Sequence, residues 1–153
     1  MDKNLIQELI DRYIAVSFKV MKKGDALIKE QIGNDLTEDQ HYTLRYIHNA
    51  GECTSSELAE NFGVNKSAIT AIINRLVEKG LITRRRDEND RRVIYLTLSE
   101  AGETLYEKTE KRIYKLVESI ITKFESEEIT TFINTYEKLS GILMEVSDEQ
   151  LGE

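Results

Sequence analysis

The chain has 153 residues, of which 40% are hydrophobic and 32% charged, and this composition fits one globular domain, residues 1–153, with a packed core. Its formal net charge of −7 argues against a surface that binds nucleic acid throughout, and its single cysteine excludes a framework of intrachain disulfides. Charged residues interrupt the apolar N-terminal segment, which is therefore neither a signal peptide nor a membrane span, and we expect a cytoplasmic protein with no membrane partner.

The N-terminal segment predicts a long helix with an apolar face that one chain leaves uncovered. Apolar residues recur at spacings of three and four as far as Lys23, Gly24 is a candidate bend, and an apolar pattern continues from residue 26 to 32. Such a face needs a partner surface. Its residues are Leu5, Ile6, Leu9, Ile10, Tyr13, Ile14, Phe18 and Met21.

Two shorter helices are expected next. Thr37 followed by Gln40 is the pattern of a capping box, which predicts a helix that begins after Thr37 and ends near Asn49. Thr54 or Ser55 then caps a third helix, which ends at residue 63.

A tight turn and a fourth helix complete a helix-turn-helix pattern. Gly63 can adopt the positive φ of a helix end, and Asn65 can cap the next helix, which runs to Lys79 and stops at Gly80. The apolar stripe of this helix is Ile69, Ile72, Ile73, Leu76 and Val77, and its opposite face carries Lys66, Ser67, Thr70, Ala71 and Asn74. Short polar side chains on that face suit a helix that lies in a DNA major groove, although a solvated surface helix has the same pattern.

A β-hairpin rich in arginine follows the fourth helix. Its two strands are predicted over residues 81–85 and 93–98, and a hairpin after a helix-turn-helix is a wing. Residues 66–92 hold eight basic and four acidic side chains, a net charge of +4, so the rest of the chain carries −11. A basic region on an acidic body orients a protein on DNA. The arginines of the hairpin are Arg84, Arg85, Arg86, Arg91 and Arg92.

Two long apolar helices close the chain. Ser99 caps a helix from Glu100 to about Glu125, Ser126 starts a last helix, and the polar tail 147–153 is expected to fray. Their stripes are Ala101, Leu105, Ile113, Leu116, Val117, Ile120, Ile121 and Phe124, and then Ile129, Phe132, Ile133, Tyr136, Leu139, Leu143 and Val146. Two chains that pack their terminal helices around a two-fold axis would bury all these stripes, and packing within a monomer is the alternative.

Several motifs together resemble the MarR family of bacterial transcription regulators. These are Leu36 to Gln40, Ser56 to Ala59, Leu76 to Ile82, and the run from Asp87 through Arg91 and Arg92 to Gly102. The resemblance implies a mainly α (α+β) winged helix-turn-helix fold. It places the DNA-binding core at residues 36–103 and dimerisation helices at 1–35 and 104–146. It also implies a homodimer that binds double-stranded DNA at a pseudo-palindromic operator.

The expected DNA contacts divide by role. Ser67, Thr70 and Asn74 are predicted to contact base edges, and Lys66 and Arg75 to contact phosphates. Arg91 or Arg92 is predicted to enter the minor groove, with Asp90 orienting an arginine by a charge-assisted bond. Arg84 and Arg86 complete the predicted interface.

In relatives of this type a ligand lies between the dimerisation helices and the DNA-binding core. We therefore expect a pocket for a small apolar or aromatic ligand, because aromatic walls with few polar groups suit such a site. The alternative is that these residues are ordinary core aromatics. The candidate residues are Tyr13, Ser17, Phe18, Met21, His41, Tyr42 and Tyr46.

No metal site, cofactor or catalytic set is predicted. His41 and His48 lie seven residues apart on one helix, and two histidines with one cysteine do not supply a zinc site. Cys53 is interpreted as a small packed residue rather than a redox sensor. The resulting hypothesis is a ligand-released repressor and not an enzyme. The alternative is a winged-helix module for protein interaction that does not bind DNA.

Overall fold

A computed structural model describes residues 1–146; the tail 147–153, for which fraying was expected, lies outside the described residues. Over the described part the chain forms six helices and three strands. In chain order these are α1 (Lys3–Ile32), α2 (Glu38–Ala50), β1 (Cys53–Thr54), α3 (Ser55–Phe62), α4 (Lys66–Glu78), β2 (Ile82–Arg86), β3 (Ile94–Leu98), α5 (Glu100–Ile121) and α6 (Ser126–Glu145). No helix of the described part is long and apolar enough to span a membrane.

The core lies between α2, α3, α4 and the sheet. The predicted stripe of α4 is confirmed, because Ile69, Ile73 and Leu76 are buried while Ile72 and Val77 pack against the buried set. Each fully buried Leu or Ile side chain contributes about 1.5–3 kcal/mol to folding. The other Leu and Ile side chains with almost no exposure are Ile32, Leu44, Ile47, Leu58 and Leu96.

A three-stranded antiparallel sheet of order β1-β3-β2 forms the wing and its base. In the hairpin, Ile82 is opposite Leu98 and Arg86 is opposite Ile94. The predicted hairpin is confirmed, with boundaries shifted by one residue. Strand β1 was not predicted, because two residues are too few to show an alternating pattern and the strand is defined by its pairing with β3.

Local capping signals set most helix starts. Thr37 and Gln40 form the expected capping box, and Thr54, rather than Ser55, caps α3 with Glu57. Ser99 caps α5 as predicted. Each of these bonds satisfies an amide that the first helical turn leaves without a partner.

Three details of the long helices differ from the sequence-based expectation. Helix α1 runs through Gly24 without ending there, because one glycine costs a helix only about 1 kcal/mol and flanking turns offset it. Helix α5 ends at Ile121, four residues early. Helix α6 begins at the expected place, but the residue at its N-cap is Glu125, whose side chain makes no cap bond.

The start of α5 packs closely against the base of the wing. The Ser99 amide donates to the Leu81 carbonyl over 3.0 Å, and the Ser99 hydroxyl donates to the Gly80 carbonyl over 2.6 Å. A Cβ atom at Gly102 would lie 2.1 Å from the Leu81 carbonyl oxygen. The absence of a side chain at Gly102 therefore allows this helix to approach the strand that carries the wing.

The terminal helices leave their apolar faces uncovered in a single chain. Ile32 is the one buried residue of α1, and α6 has no buried residue over the part that the structure describes. The large exposed apolar residues of α1 include Leu5, Leu9, Ile14, Val16, Phe18 and Met21, and those of α6 include Phe132, Ile133, Tyr136, Leu143 and Met144.

Candidate nucleic-acid interface and ligand cleft

The turn before α4 is built by three neighbouring residues. Gly63 has φ 62° and ψ 32°, the left-handed conformation expected for a helix end. The Asn65 side chain accepts from the Ala68 amide over 2.9 Å and from the Ser67 hydroxyl over 2.8 Å. The cap predicted at Asn65 is confirmed, and it fixes the orientation of the first turn of α4.

The predicted reading face of α4 is exposed to solvent. Thr70 donates its hydroxyl to the Lys66 carbonyl over 2.7 Å, and the Asn74 side chain accepts from Arg84 Nη1 over 3.1 Å. The last bond joins α4 to strand β2 of the wing. The predicted contact residues that share this exposed face are Lys66, Ser67, Thr70, Asn74 and Arg75.

The tip of the wing is a hydrogen-bonded turn that carries exposed arginines. The Asp87 carboxylate accepts from the backbone amides of Asn89 (3.0 Å) and Asp90 (2.9 Å). Asp90 in turn accepts from Arg92 Nε (3.1 Å) and Nη2 (3.2 Å), and these bonds lower the pKa of the Asp90 carboxyl. The Arg92 side chain is 90% exposed, and Arg91 is also exposed.

The structure shows how individual arginines of the wing are held in place. Asp90 orients Arg92, and Arg86 donates to the Arg91 carbonyl over 3.5 Å. Arg85 instead packs on the body of the protein, where its guanidinium lies 4.6 Å from the centre of the Tyr95 ring. The structural role of Asp87 was missed, although an aspartate at the first position of a tight turn is a recognisable signal.

A cleft of about 740 Å³ lies between the end of α1, α2 and α5. Its lining residues are Ile28, His41, Tyr42, Arg45, Glu110, Ile113, Tyr114, Val117, Glu118, Ile121 and Thr122. Two of the predicted pocket residues, His41 and Tyr42, are among them. A second cleft of about 530 Å³, behind α4, holds Tyr46 together with Tyr42, Phe62 and Ile72.

The remaining predicted pocket residues do not line either cleft within one chain. Tyr13, Phe18 and Met21 are exposed on α1, and Ser17 is half-buried. The reason is the uninterrupted course of α1: at 1.5 Å per residue, Phe18 is about 15 Å along the helix axis from Ile28. A single chain therefore does not bring all seven predicted residues around one pocket.

A buried polar group forms one wall of the larger cleft. The His41 side chain is 1% exposed, and its Nε2 lies 3.4 Å from Glu110 Oε2, while Arg45 Nη1 binds Glu110 Oε1. Burial, followed by the nearby charge of Arg45, lowers the pKa of His41 to about 4. This histidine is therefore neutral at pH 7.

The two histidines bind different carboxylates of α5. His48 Nδ1 lies 2.7 Å from Glu103, and the ring packs 4.5 Å from the Tyr106 ring centre. Within residues 1–146 no cluster of three or more His, Cys, Asp and Glu residues could hold a metal ion.

Cys53 is packed in the sheet. It is 2% exposed and pairs in register with Leu96. Burial, followed by the nearby charges of Glu57 and Glu52, raises the pKa of the Cys53 thiol to about 11. A thiol with a raised pKa holds little of the reactive thiolate at pH 7.

Comparisons with known proteins decide the family. Residues 36–94 match the family model described as "MarR family". The HTH-type transcriptional regulator YpoP of Bacillus subtilis, itself uncharacterized, is 31% identical over 121 residues, which are 79% of this chain and 86% of YpoP. The chain belongs to the MarR family. As a MarR-family protein it is a DNA-binding transcriptional regulator, like its relatives, and not an enzyme.

Solved MarR-family structures confirm the winged-helix fold. A cysteine-to-serine mutant of E. coli MarR, complexed with operator DNA, superposes with a TM-score of 0.75 at 26% identity, covering 85% of this chain and 94% of that one. A MepR-like protein complexed with pseudoligands gives a TM-score of 0.70 at 29% identity, covering 90% and 98%. A further relative, the transcriptional repressor MdtR of Bacillus subtilis, is 30% identical over 69% of this chain and 68% of MdtR.

Proposed function

We propose that this MarR-family regulator acts in the bacterial cytoplasm as a homodimeric repressor on a pseudo-palindromic operator, from which a small ligand releases it. One observation carries the DNA-binding part. The exposed polar face of α4 and the arginine-rich wing lie side by side, joined by the 3.1 Å bond between Arg84 and Asn74. A groove-reading helix beside a cationic hairpin matches the two grooves that a winged helix contacts.

Roles follow from the position of each group. Ser67, Thr70 and Asn74 contact base edges, and Lys66 and Arg75 contact phosphates. Arg91 enters the minor groove, and Arg92 lies beside it with part of its charge offset by Asp90. Arg84 and Arg86 bind the backbone between the two grooves. In a two-fold symmetric operator, each half-site receives this same set of contacts from one protomer.

The uncovered apolar faces support the dimer. We assign residues 1–35 and 104–146 to dimerisation and residues 36–103 to DNA binding. Exposed Leu, Ile and Phe side chains on α1, α5 and α6 would each contribute about 1.5–3 kcal/mol when a second copy buries them. The E. coli MarR mutant complexed with operator DNA supports the same mode of action at similar overall structure.

Ligand release follows from geometry. Two recognition helices must lie about 34 Å apart to enter successive major grooves. The larger cleft lies between α2 of the DNA-binding core and α5 of the dimerisation region, so a ligand bound there can change that spacing. A ligand that binds the DNA-incompetent arrangement more tightly will release the operator. The repressor name of MdtR and the pseudoligands of the MepR-like structure support this proposal.

The test is a binding assay on DNA from upstream of the chain's own gene. The double variant Arg91→Ala/Arg92→Ala should lose more than about tenfold in affinity, because it removes the minor-groove contact at each wing. The matched control is Lys111→Ala/Arg112→Ala, which removes the same charge from exposed positions on α5. The control should change the affinity by less than about threefold at moderate salt.

Two results would count against the proposal. Equal losses in both double variants would mean that total charge, and not the wing, determines binding. Failure of the unaltered protein to bind any upstream fragment would favour a winged-helix module that serves protein interaction without DNA.

A further inference from the structure

Among the described residues, the lining of the larger cleft includes two buried polar atoms that make no hydrogen bond. Glu110 Oε1 is bound by Arg45, but Glu110 Oε2 makes no hydrogen bond within residues 1–146 and has only the long 3.4 Å approach of His41 Nε2, while His41 Nδ1 has no partner in that part of the chain. The Glu110 side chain is only 14% exposed. A buried polar atom without a partner costs roughly 1–3 kcal/mol, so these two atoms mark a place where a donor would be stabilising.

The tautomer of His41 follows from its neighbours. Its Nε2 faces the Glu110 carboxylate at 3.4 Å, so the proton of the neutral ring belongs on Nε2. That leaves Nδ1 as an acceptor. Glu110 Oε2 and His41 Nδ1 can therefore both accept a hydrogen bond from a ligand. Neither atom can lie beside a carboxylate oxygen without repulsion.

The charged side chains that line the cleft also favour a cationic ligand. Arg45 is the one cation of the lining, and its charge is offset by Glu110. Glu118 adds a second carboxylate on the same helix, two turns further along, so the lining has a net negative charge. The rest of the wall is apolar or aromatic, with Ile28, Ile113, Val117, Tyr42 and Tyr114.

We propose that the cleft between α2 and α5 binds an aromatic amine, whose cationic N–H donors bind Glu110 and whose ring lies against the apolar wall. A neutral or anionic compound of the same shape binds less tightly. The donor group satisfies Glu110 Oε2, and the flat ring fits beside Tyr42 and Tyr114. An ammonium that binds a partly buried carboxylate makes a charge-assisted hydrogen bond, which is stronger than the bond of a neutral donor. This inference rests on the proposed ligand response and assigns its chemical class.

Three probes of one shape test the charge preference directly. They are 1-naphthylmethylamine, 1-naphthylmethanol and 1-naphthoate, and binding of each to the full-length protein is measured by calorimetry at pH 7. The amine should bind at least about tenfold more tightly than the alcohol, and the acid should bind weakest. Equal affinity for the three, tightest binding of the acid, or no binding of any probe would overturn the inference.

The Glu110→Gln variant tests whether Glu110 is the source of the preference for the amine. The variant should lose about tenfold in affinity for the amine and little for the alcohol, and it should gain affinity for the acid because Arg45 is left without its carboxylate. Glu107→Gln, an exposed substitution on the same helix and outside this cleft, is the matched control and should leave all three affinities unchanged. An unchanged preference in Glu110→Gln would overturn the assignment.

A second variant and a second assay separate the possible failures. Glu118→Gln changes an exposed residue of the lining, so it should fold even if Glu110→Gln does not. Glu118→Gln should lower the affinity for the amine by about threefold and leave the affinity for the alcohol unchanged. An equal loss for the alcohol would contradict the proposal. Operator binding is then measured with and without the amine. If the amine binds as expected but does not release DNA, the proposed ligand release is wrong, while the proposed binding of an amine in the cleft is still supported.

Discussion

Replacing Gly102 by Ala tests how the wing is attached to α5. Alanine favours a helix over glycine by about 1 kcal/mol, so helix propensity alone predicts a stabilised protein. In the structure the new Cβ would lie 2.1 Å from the Leu81 carbonyl oxygen, and the helix or the strand must move by about 1.3 Å to restore ordinary contact. That movement also strains the 3.0 Å bond from the Ser99 amide to the same oxygen.

The expected sign is therefore destabilising. Overpacking costs about 1–3 kcal/mol and loss of one hydrogen bond about 1 kcal/mol, which together exceed the gain in propensity by roughly 2 kcal/mol. For a domain of this size that difference lowers Tm by about 4–8 °C. Operator affinity should also fall, because Leu81 directly precedes the first wing strand.

The assay is thermal and urea unfolding at fixed protein concentration, with Gly24→Ala as the control. A Cβ at Gly24 meets no atom within 4 Å among the described residues, so the control should gain up to about 1 kcal/mol. If Gly102→Ala is as stable as the unaltered chain, or more stable, the close approach of α5 to the wing base is wrong.

Three further predictions concern readout, assembly and pH. Asn74→Ala should relax sequence preference at one operator position by about 1–3 kcal/mol in competition assays; an unchanged preference would remove this residue from base readout. Unfolding of the intact protein should depend on its concentration, and deleting residues 1–20 should abolish dimerisation and operator binding together; a monomeric truncation with full affinity would refute the two-fold mechanism. The folded protein holds the pKa of His41 at about 4, below the ordinary 6.5, so the unfolded chain binds more protons between these values. Stability from this group should be complete above pH 6.5 and lost as the pH falls towards 4, by no more than about 3 kcal/mol, and His41→Gln should flatten that part of the unfolding profile relative to the unaltered protein.

Most secondary structure followed from local signals in the sequence. The caps at Thr37, Asn65 and Ser99 were predicted correctly, because each involves residues no more than three positions apart. The apolar stripe of α4 and the wing hairpin were also confirmed, since a regular period and a turn between two β-type runs are readable without tertiary contacts. The exposed polar face of α4 and the arginines of the wing were predicted in the same way.

The surroundings of individual side chains required the tertiary structure. Five arginines look alike in the sequence, yet Arg85 lies over the Tyr95 ring because β2 and β3 pair these two residues, while Arg91 lies in the turn between the strands. Strand β1 depends on a partner more than forty residues away. The cleft between α2 and α5 is the clearest case: the Glu110 carboxylate that binds Arg45 is 65 residues from it in sequence.

Periodicity, capping and composition are enough to predict the local elements, their order and the basic region. Which residues share the cleft, and which of them form pairs, depends instead on how the helices pack together. A continuous α1 carries Tyr13 and Phe18 away from the cleft, and the packing of α5 against α2 brings Glu110 to His41. Hydrogen-bond partners across such distances depend on how helices cross, and helix crossing depends on the packing of the whole core.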